Sequence, residues 1–333
     1  MNKRNNILQF SISRASLVIL AGLLCLAASS CRRTDGRDNS AAAERKPGFN
    51  LPSETDMPTD PVARANYLVR RYWNSFDFSD TAYIHIPEVT ERAFADFIDL
   101  LSVAEYGEAV EAINSHLSAA EKGEKTGRMY EYFLEQYEKY LYDPNSLYRN
   151  DAYYIPVMRY VLSDESTDEA ERIRPGYRLS MMLKNRVGDR ATDFTYTLSS
   201  GKTGSLSGIR SDYTILYFNN PGCMACREIS AAMKDSPVVN DLLDSGRLTV
   251  LAFYPDEDAD VWEEHRGEMP ENWINGYDRE LALRKGELYD LKAIPTLYLL
   301  DGGKRVVLKD ADFAGLEAWL EESLLFAPEG GGM

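Results

Sequence analysis

The apolar positions of this chain follow two different periods, and the change comes near residue 187. Before it they recur at helical spacing: Ala65, Leu68, Val69 and Tyr72, then Phe94, Phe97, Ile98 and Leu101. Pro87 followed by Glu88, Thr90 and Glu91 predicts a helix start, and further helices are predicted over 105–121, 126–140, 151–163 and 167–184. Residues 61–184 are therefore expected as a mostly helical domain. Beyond Val187 the runs shorten. Asp193-Phe194-Thr195-Tyr196-Thr197-Leu198 alternates, Ser199-Ser200-Gly201-Lys202-Thr203 turns, and Gly204-Ser205-Leu206 returns, which predicts a hairpin. Strands over 213–219, 247–254, 274–277, 295–300 and 304–309 then alternate with helices over 223–235, 237–244, 258–266, 279–288 and 312–326, with Gly302-Gly303 turning between the last two strands. Such alternation predicts an α/β domain over 185–327, able to fold without the helical block, and residues 328–333 read as a loose tail.

The ends of the chain change the picture of where it works. Lys3, Arg4 and Arg14 are basic, no acid occurs before Asp35, and Ala15 to Ala28 is apolar apart from Ser16. This pattern over residues 1–30 predicts a secretory signal. Ala28-Ser29-Ser30 before Cys31 resembles a relaxed bacterial lipobox, which makes Cys31 the expected lipidation site; ordinary cleavage near Ser30 would instead leave Cys31 as a free thiol. Residues 31–60 are polar and punctuated by Pro47, Pro52 and Pro58, the composition of a tether. The expected location is the cell envelope, facing the periplasm and anchored through lipid in the inner or the outer membrane. A net charge of −16 argues against nucleic acid as a partner, because a phosphate-binding surface needs a basic excess.

The candidate chemistry lies in the cysteines. There are four: Cys25 inside the signal, Cys31 at its end, and the pair Cys223-Met224-Ala225-Cys226 after the apolar run Tyr213 to Phe218. A secreted protein with no other cysteine keeps such a pair for redox chemistry or for metal. Zinc would need two further ligands, and His85, His116 and His265 are scattered without ligand spacing, so no metal is expected. A cysteine at a helix N-terminus meets unpaired N–H groups and the positive end of the helix dipole, both of which favour thiolate. Cys223 is thus the candidate nucleophile and Cys226, one turn on, the candidate resolver. Arg227 and Glu228 are candidate modulators of the thiolate and of proton transfer, or else simply solvated helix residues. Gly201-Lys202-Thr203 is not a phosphate loop, because Tyr196 stands where that motif needs glycine. Fourteen of the 21 tyrosines fall in the helical region; they suit either an aromatic docking surface or, as the simpler reading, helix–helix seams.

Gly188, Asp193-Phe194 with its hairpin, the strand leading into Cys223-x-x-Cys226, and Tyr289-Asp290-Leu291 before Ile294-Pro295-Thr296 together resemble the TlpA/ResA-type thioredoxin-fold proteins, extracytoplasmic thiol-disulfide oxidoreductases. Residues 61–184 resemble a domain of unknown function fused to such modules in lipoproteins of Bacteroidota. The resemblance implies a thioredoxin-like fold, a central mixed sheet flanked by helices, preceded by a mostly α-helical domain. It implies a membrane-tethered enzyme that reduces or exchanges disulfides of envelope proteins, supplied by a membrane electron donor, with no cofactor beyond a redox-active Cys223–Cys226 disulfide. It also implies a cis Pro295 opposite the cysteines, exposing the Ile294 backbone to a substrate strand. The chain departs from the family where Gly222 replaces tryptophan before the first cysteine, Ala225 replaces proline before the second, and Ile229 stands in place of a glutamate. Tyr217 occupies the position where cytoplasmic thioredoxins bury an aspartate. The other reading is an interaction lipoprotein that uses the fold as a scaffold; reactivity of the cysteine pair separates the two.

Overall fold

In the helical region, spacing of apolar residues and well-formed caps account for the elements. The structure, a computed structural model, describes Asn50, residues 57–164 and residues 168–325. The expected signal, Cys31, most of the tether and the 328–333 tail lie outside the described residues. Helix α1 (Pro61–Arg71) starts where the Asp60 carboxylate accepts the Ala63 N–H at 2.8 Å, with Pro61 in the first turn. Helix α2 (Thr90–Val103) buries Ala93, Phe94, Phe97, Ile98 and Leu101 along one stripe. Helices α3 (Tyr106–Gly123), α4 (Arg128–Tyr137), α5 (Asp151–Ser163) and α6 (Glu169–Met182) complete the block. A π-helical turn over Glu138–Tyr142 extends α4. Pro156 and Pro175 lie inside α5 and α6 without ending them. Most of the tyrosines fill seams: Tyr72, Tyr137 and Tyr154 are buried, and Tyr130, Tyr132, Tyr140 and Tyr160 pack against the same core.

An aromatic cluster centres this core. The His116 ring stacks on Trp73, with centroids 4.3 Å apart and planes 8° from parallel. Its Nδ1 shares a 2.9 Å hydrogen bond with the Tyr137 hydroxyl. Burial holds the His116 pKa down, to about 3. The unfolded chain takes up a proton here below about pH 6.5, whereas the folded chain does so only near pH 3. Stability present above the unfolded pKa is therefore lost as pH falls through this window. Between pH 7 and pH 5 the loss should be about 2 kcal/mol. Denaturant midpoints at the two pH values test this, and His116→Phe should flatten the dependence; an equally steep dependence in that variant would place the titrating group elsewhere.

The second half builds one seven-stranded sheet in the order β2-β1-β5-β4-β3-β6-β7. Its strands are β1 (Thr195–Thr197), β2 (Thr203–Ser205), β3 (Tyr213–Phe218), β4 (Leu248–Tyr254), β5 (Ile274–Tyr277), β6 (Thr296–Asp301) and β7 (Val306–Lys309). β3 and β5 run parallel to β4, while β6 is antiparallel to both β3 and β7. The central strands are apolar on both sides because both sides are covered. Ile215, Tyr217, Val250, Ala252, Leu297 and Leu299 meet helices α7 (Met224–Asp235), α8 (Pro237–Asp244) and α11 (Phe313–Leu325). Leu216, Phe218, Leu251, Phe253, Tyr298 and Leu300 pack on the opposite side with Phe194, Leu206 and Tyr289. The remaining helices are α9 (Ala259–His265) and α10 (Ala282–Lys285).

Two expectations are revised. The helix predicted over 279–288 shrinks to α10. The Asp278 carboxylate caps it late, accepting N–H groups from Ala282 and Leu283 at 2.9 Å each, and Leu281 and Glu287 take left-handed φ values of 53° and 47° on either side. The last strand begins at Val306 rather than at 304. Lys304, not a glycine, adopts φ 61° in the preceding turn, and its ammonium is buried, donating to Thr214 Oγ1 at 2.9 Å.

The described residues form one compact unit, although the apolar core of the helical block is distinct from those of the sheet. What joins the two halves is largely polar. Asn185 Nδ2 donates to the Leu288 carbonyl at 2.8 Å, Arg149 to the Asp310 carbonyl at 3.0 Å, and Lys309 Nζ to the carbonyls of Met182 and Lys184 at 3.2 Å each.

Candidate active site

Strand β3 ends at Phe218, and a short loop carries the chain into α7. In that loop Gly222 takes φ 81°, a conformation that side chains rarely adopt. This gives a physical reason for glycine where the resembled family carries tryptophan. Cys223 is the N-cap of α7, and its Sγ accepts the Cys226 N–H at 3.2 Å. The sulfur thus sits among the first free amides of the helix. Cys223 is half-buried, Cys226 is 3% exposed, and both are free thiols.

The Ile294–Pro295 peptide is cis. It stands across from the pair, with the Ile294 carbonyl 3.9 Å from Cys223 Sγ. The Ile294 N–H has no backbone partner among the described residues. Beneath the cysteines, the fully buried Tyr217 donates its hydroxyl to the Cys226 carbonyl at 2.7 Å. Burial, followed by its hydrogen bond with Cys223, pushes the Cys226 thiol up to about 12. The Tyr217 hydroxyl, buried beside both cysteines, is raised as well. Arg227 and Glu228 are exposed. Besides burial, the groups that act most on the Cys226 thiol are Cys223, the Asn220 backbone and Tyr217.

Sequence reasoning missed the support behind this site. Lys292, in the loop before Ile294, is nearly buried. Its ammonium bridges Asp290 at 2.5 Å and Asp151, the first residue of α5, at 3.0 Å. Lys309 of β7 reaches the other Asp151 oxygen at 2.9 Å. Lys292 Nζ also lies 5.1 Å from the centre of the Tyr142 ring. Burial pushes the Asp151 carboxyl up, but Lys292 and Lys309 outweigh it and hold it below the usual range. Lys292, by contrast, is raised: burial opposes its charge, and Asp151 and Asp290 overcome that. The loop that faces Cys223 is in this way tied to the helical block. Asp290 and Leu291 belong to the stretch that carries the resemblance, yet no local signal says that Lys292 faces inward. Tyr217 was visible as a departure, without a role.

Comparisons with known proteins bear on both halves. Residues 27–185 match a domain of unknown function, DUF5106. No curated protein matches the chain. A crystal structure of a thioredoxin-like protein from Bacteroides caccae is 43% identical with a TM-score of 0.78, covering 82% of this chain and 98% of its own. The C-terminal domain of an uncharacterized protein from Bacteroides fragilis is 50% identical over 42% of this chain and 99% of its own, at a TM-score of 0.41. The thioredoxin domain of a thiol-disulfide oxidoreductase from Bacteroides vulgatus is 21% identical over 41% of this chain and 96% of its own, at 0.37. With the Bacteroides caccae relative 43% identical and matched over nearly its whole length, a mixed sheet flanked by helices and Cys223 capping α7, the chain belongs to the thioredoxin-like proteins.

Proposed function

We propose that this protein is a thiol-disulfide oxidoreductase that reduces or exchanges disulfides of envelope proteins through Cys223 and Cys226. The observation that carries the reading is the asymmetry of the pair. One thiol is half-exposed among helix N-terminal amides and faces Ile294; the other is buried behind it and holds its proton up to about 12. The Cys223 thiolate attacks one sulfur of the substrate disulfide. An S–S bond forms to Cys223, the substrate S–S bond breaks, and the departing thiolate takes a proton from solvent. Burial is the largest cause of the raised Cys226 thiol, but the hydrogen bond and charge of Cys223 also contribute. Both of those contributions end once Cys223 is in a mixed disulfide, so Cys226 gives up its proton more readily at the point where its thiolate is needed. That thiolate then attacks Cys223 Sγ and releases the second substrate thiol. The protein is left with a Cys223–Cys226 disulfide and the substrate with two thiols. Turnover requires a dithiol donor to take that disulfide back to two thiols; we assign this role to a membrane electron donor of the envelope.

The proposal includes lipidation at Cys31 and a periplasm-facing tether, supported by the sequence pattern around that residue. Reduced protein mixed with a disulfide-bonded protein should yield two new substrate thiols per Cys223–Cys226 disulfide formed, counted by alkylation and mass spectrometry. Cys31→Ala should move the chain from the membrane to the soluble fraction. A cysteine pair that stays reduced in the presence of excess disulfide would favour the scaffold reading.

A further inference from the structure

Beside the Ile294 loop lies a cleft of about 530 Å³ built from both halves of the protein. Tyr142, Tyr177 and Met181 of the helical block form one wall; Tyr289, Leu291 and Ile294 form the other. The cleft adjoins the cysteines on two counts. Ile294 lines it while its carbonyl lies 3.9 Å from Cys223 Sγ. Asp256 also lines it and accepts from Asn220 Nδ2 at 2.6 Å, in the loop that carries Cys223.

Resting on the redox reading above, we infer that the helical block completes the substrate site, and that this cleft receives an aromatic or large aliphatic side chain flanking the cysteine of the client polypeptide. Three observations select that occupant. The volume falls within the usual range for binding pockets of about 300–1,000 Å³, large enough for a ring with its flanking backbone. The charged groups along the cleft each have a polar partner: Asp290 with Lys292 at 2.5 Å, Arg284 with Glu257 and Glu287 with Lys184 at 3.9 Å each, and Asp256 with Asn220 at 2.6 Å. What stays open is mainly the aromatic and aliphatic surface of Tyr142, Tyr177, Leu291 and Ile294. The Ile294 N–H is also free of backbone partners among the described residues. An extended client segment pairing there would project a residue next to its cysteine toward the cleft, since neighbouring side chains of a strand leave opposite faces.

The walls are set before any client arrives. Lys292 is held by Asp151 and Asp290. Tyr142 lies between the Lys292 ammonium and the Arg178 guanidinium, 5.1 and 4.6 Å from its ring centre, and Arg178 is itself held by Glu138 at 2.8 Å. A preformed cleft spends little binding energy on ordering side chains. Tyr177 is 52% exposed, so its ring is open to a ligand and is not part of the fold's interior.

The test uses two synthetic peptides, each a disulfide-linked dimer, differing only in the residues on both sides of the cysteine: phenylalanine in one, glycine in the other. Rates with the reduced full chain are normalised to reduction of each peptide by dithiothreitol. In this single turnover the phenylalanine peptide should be reduced with a second-order rate constant about tenfold higher, carried by half-saturation at a lower peptide concentration. Tyr177→Ala should bring the ratio to within about twofold of unity, whereas Tyr177→Phe should keep it. Equal normalised rates in the unaltered protein would overturn the inference and leave the redox reading standing. Failure to reduce either peptide would overturn both. A ratio unchanged in Tyr177→Ala and also in Met181→Ala would show that the preference arises outside this cleft, and would overturn the assignment to the helical block.

Discussion

Cys223→Ser should abolish disulfide reduction outright, while Cys226→Ser should keep the first attack and accumulate mixed disulfides. The two variants differ because the structure gives the sulfurs different work. Cys223 is half-buried at the head of α7 and faces the Ile294 carbonyl; Cys226 is 3% exposed behind it. Burial and its hydrogen bond with Cys223 hold the Cys226 thiol well above the ordinary cysteine range. Alkylation of the reduced protein should therefore be faster at Cys223, the more accessible sulfur, because thiolate is the reacting species. Peptide mapping after a short pulse of iodoacetamide measures this directly. Without Cys226 the mixed disulfide has no internal thiol to resolve it, so it should persist on non-reducing gels and disappear with dithiothreitol. Equal alkylation at the two cysteines, together with no mixed disulfide from Cys226→Ser, would remove the enzymatic reading.

Asp151→Ala should destabilise the protein by about 3–5 kcal/mol, the usual cost of removing one partner from a buried ion pair. Asp151 accepts from two nearly buried lysines, Lys292 at 3.0 Å and Lys309 at 2.9 Å. With the carboxylate gone, Lys292 keeps Asp290 and the Tyr142 ring, and Lys309 keeps the carbonyls of Met182 and Lys184. Two nearly buried ammonium groups then lose the carboxylate that they share. Replacing Lys309 by methionine in the Asp151→Ala background should recover part of the loss, because a buried charge leaves with it. The carboxyl of Asp151 lies below the usual range, so its contribution is present above about pH 4 and is lost as pH falls through the depressed value. The His116 loss begins near pH 6.5, above the point where that of Asp151 starts, so a series run downward from pH 7 meets it first. Urea denaturation of the single and double variants gives the values; a loss under about 1 kcal/mol for Asp151→Ala would mean that water reaches the cluster.

Local chemistry along the chain determined a good deal of this protein. The helical stripe Phe94, Phe97, Ile98 and Leu101 is buried because a period near 3.6 places those residues on one face. Strand β3 is apolar but for Thr214 because helices and loops cover both faces, and runs of that length and composition read as strand in isolation. The cysteine pair opening α7 was legible too, since a strand running into a Cys-x-x-Cys helix is a signal held within about fifteen residues. Turn and cap details were only partly legible: Asp278 and Leu281 shortened α10 through a capping geometry that competes with helical periodicity. Tertiary structure alone decided the rest. Asp151 and Lys292 lie 141 positions apart and His116 and Tyr137 lie 21 apart. A lysine, an aspartate or a histidine in sequence reads as solvated, because such residues are seldom buried without a partner and nothing local names the partner. The cleft beside Ile294 depends on the same long-range packing: Tyr142, Tyr177 and Leu291 share no period or motif, and they face one another because contacts between the two halves, the buried Asp151–Lys292 pair among them, hold the loop of Lys292 against the helical block.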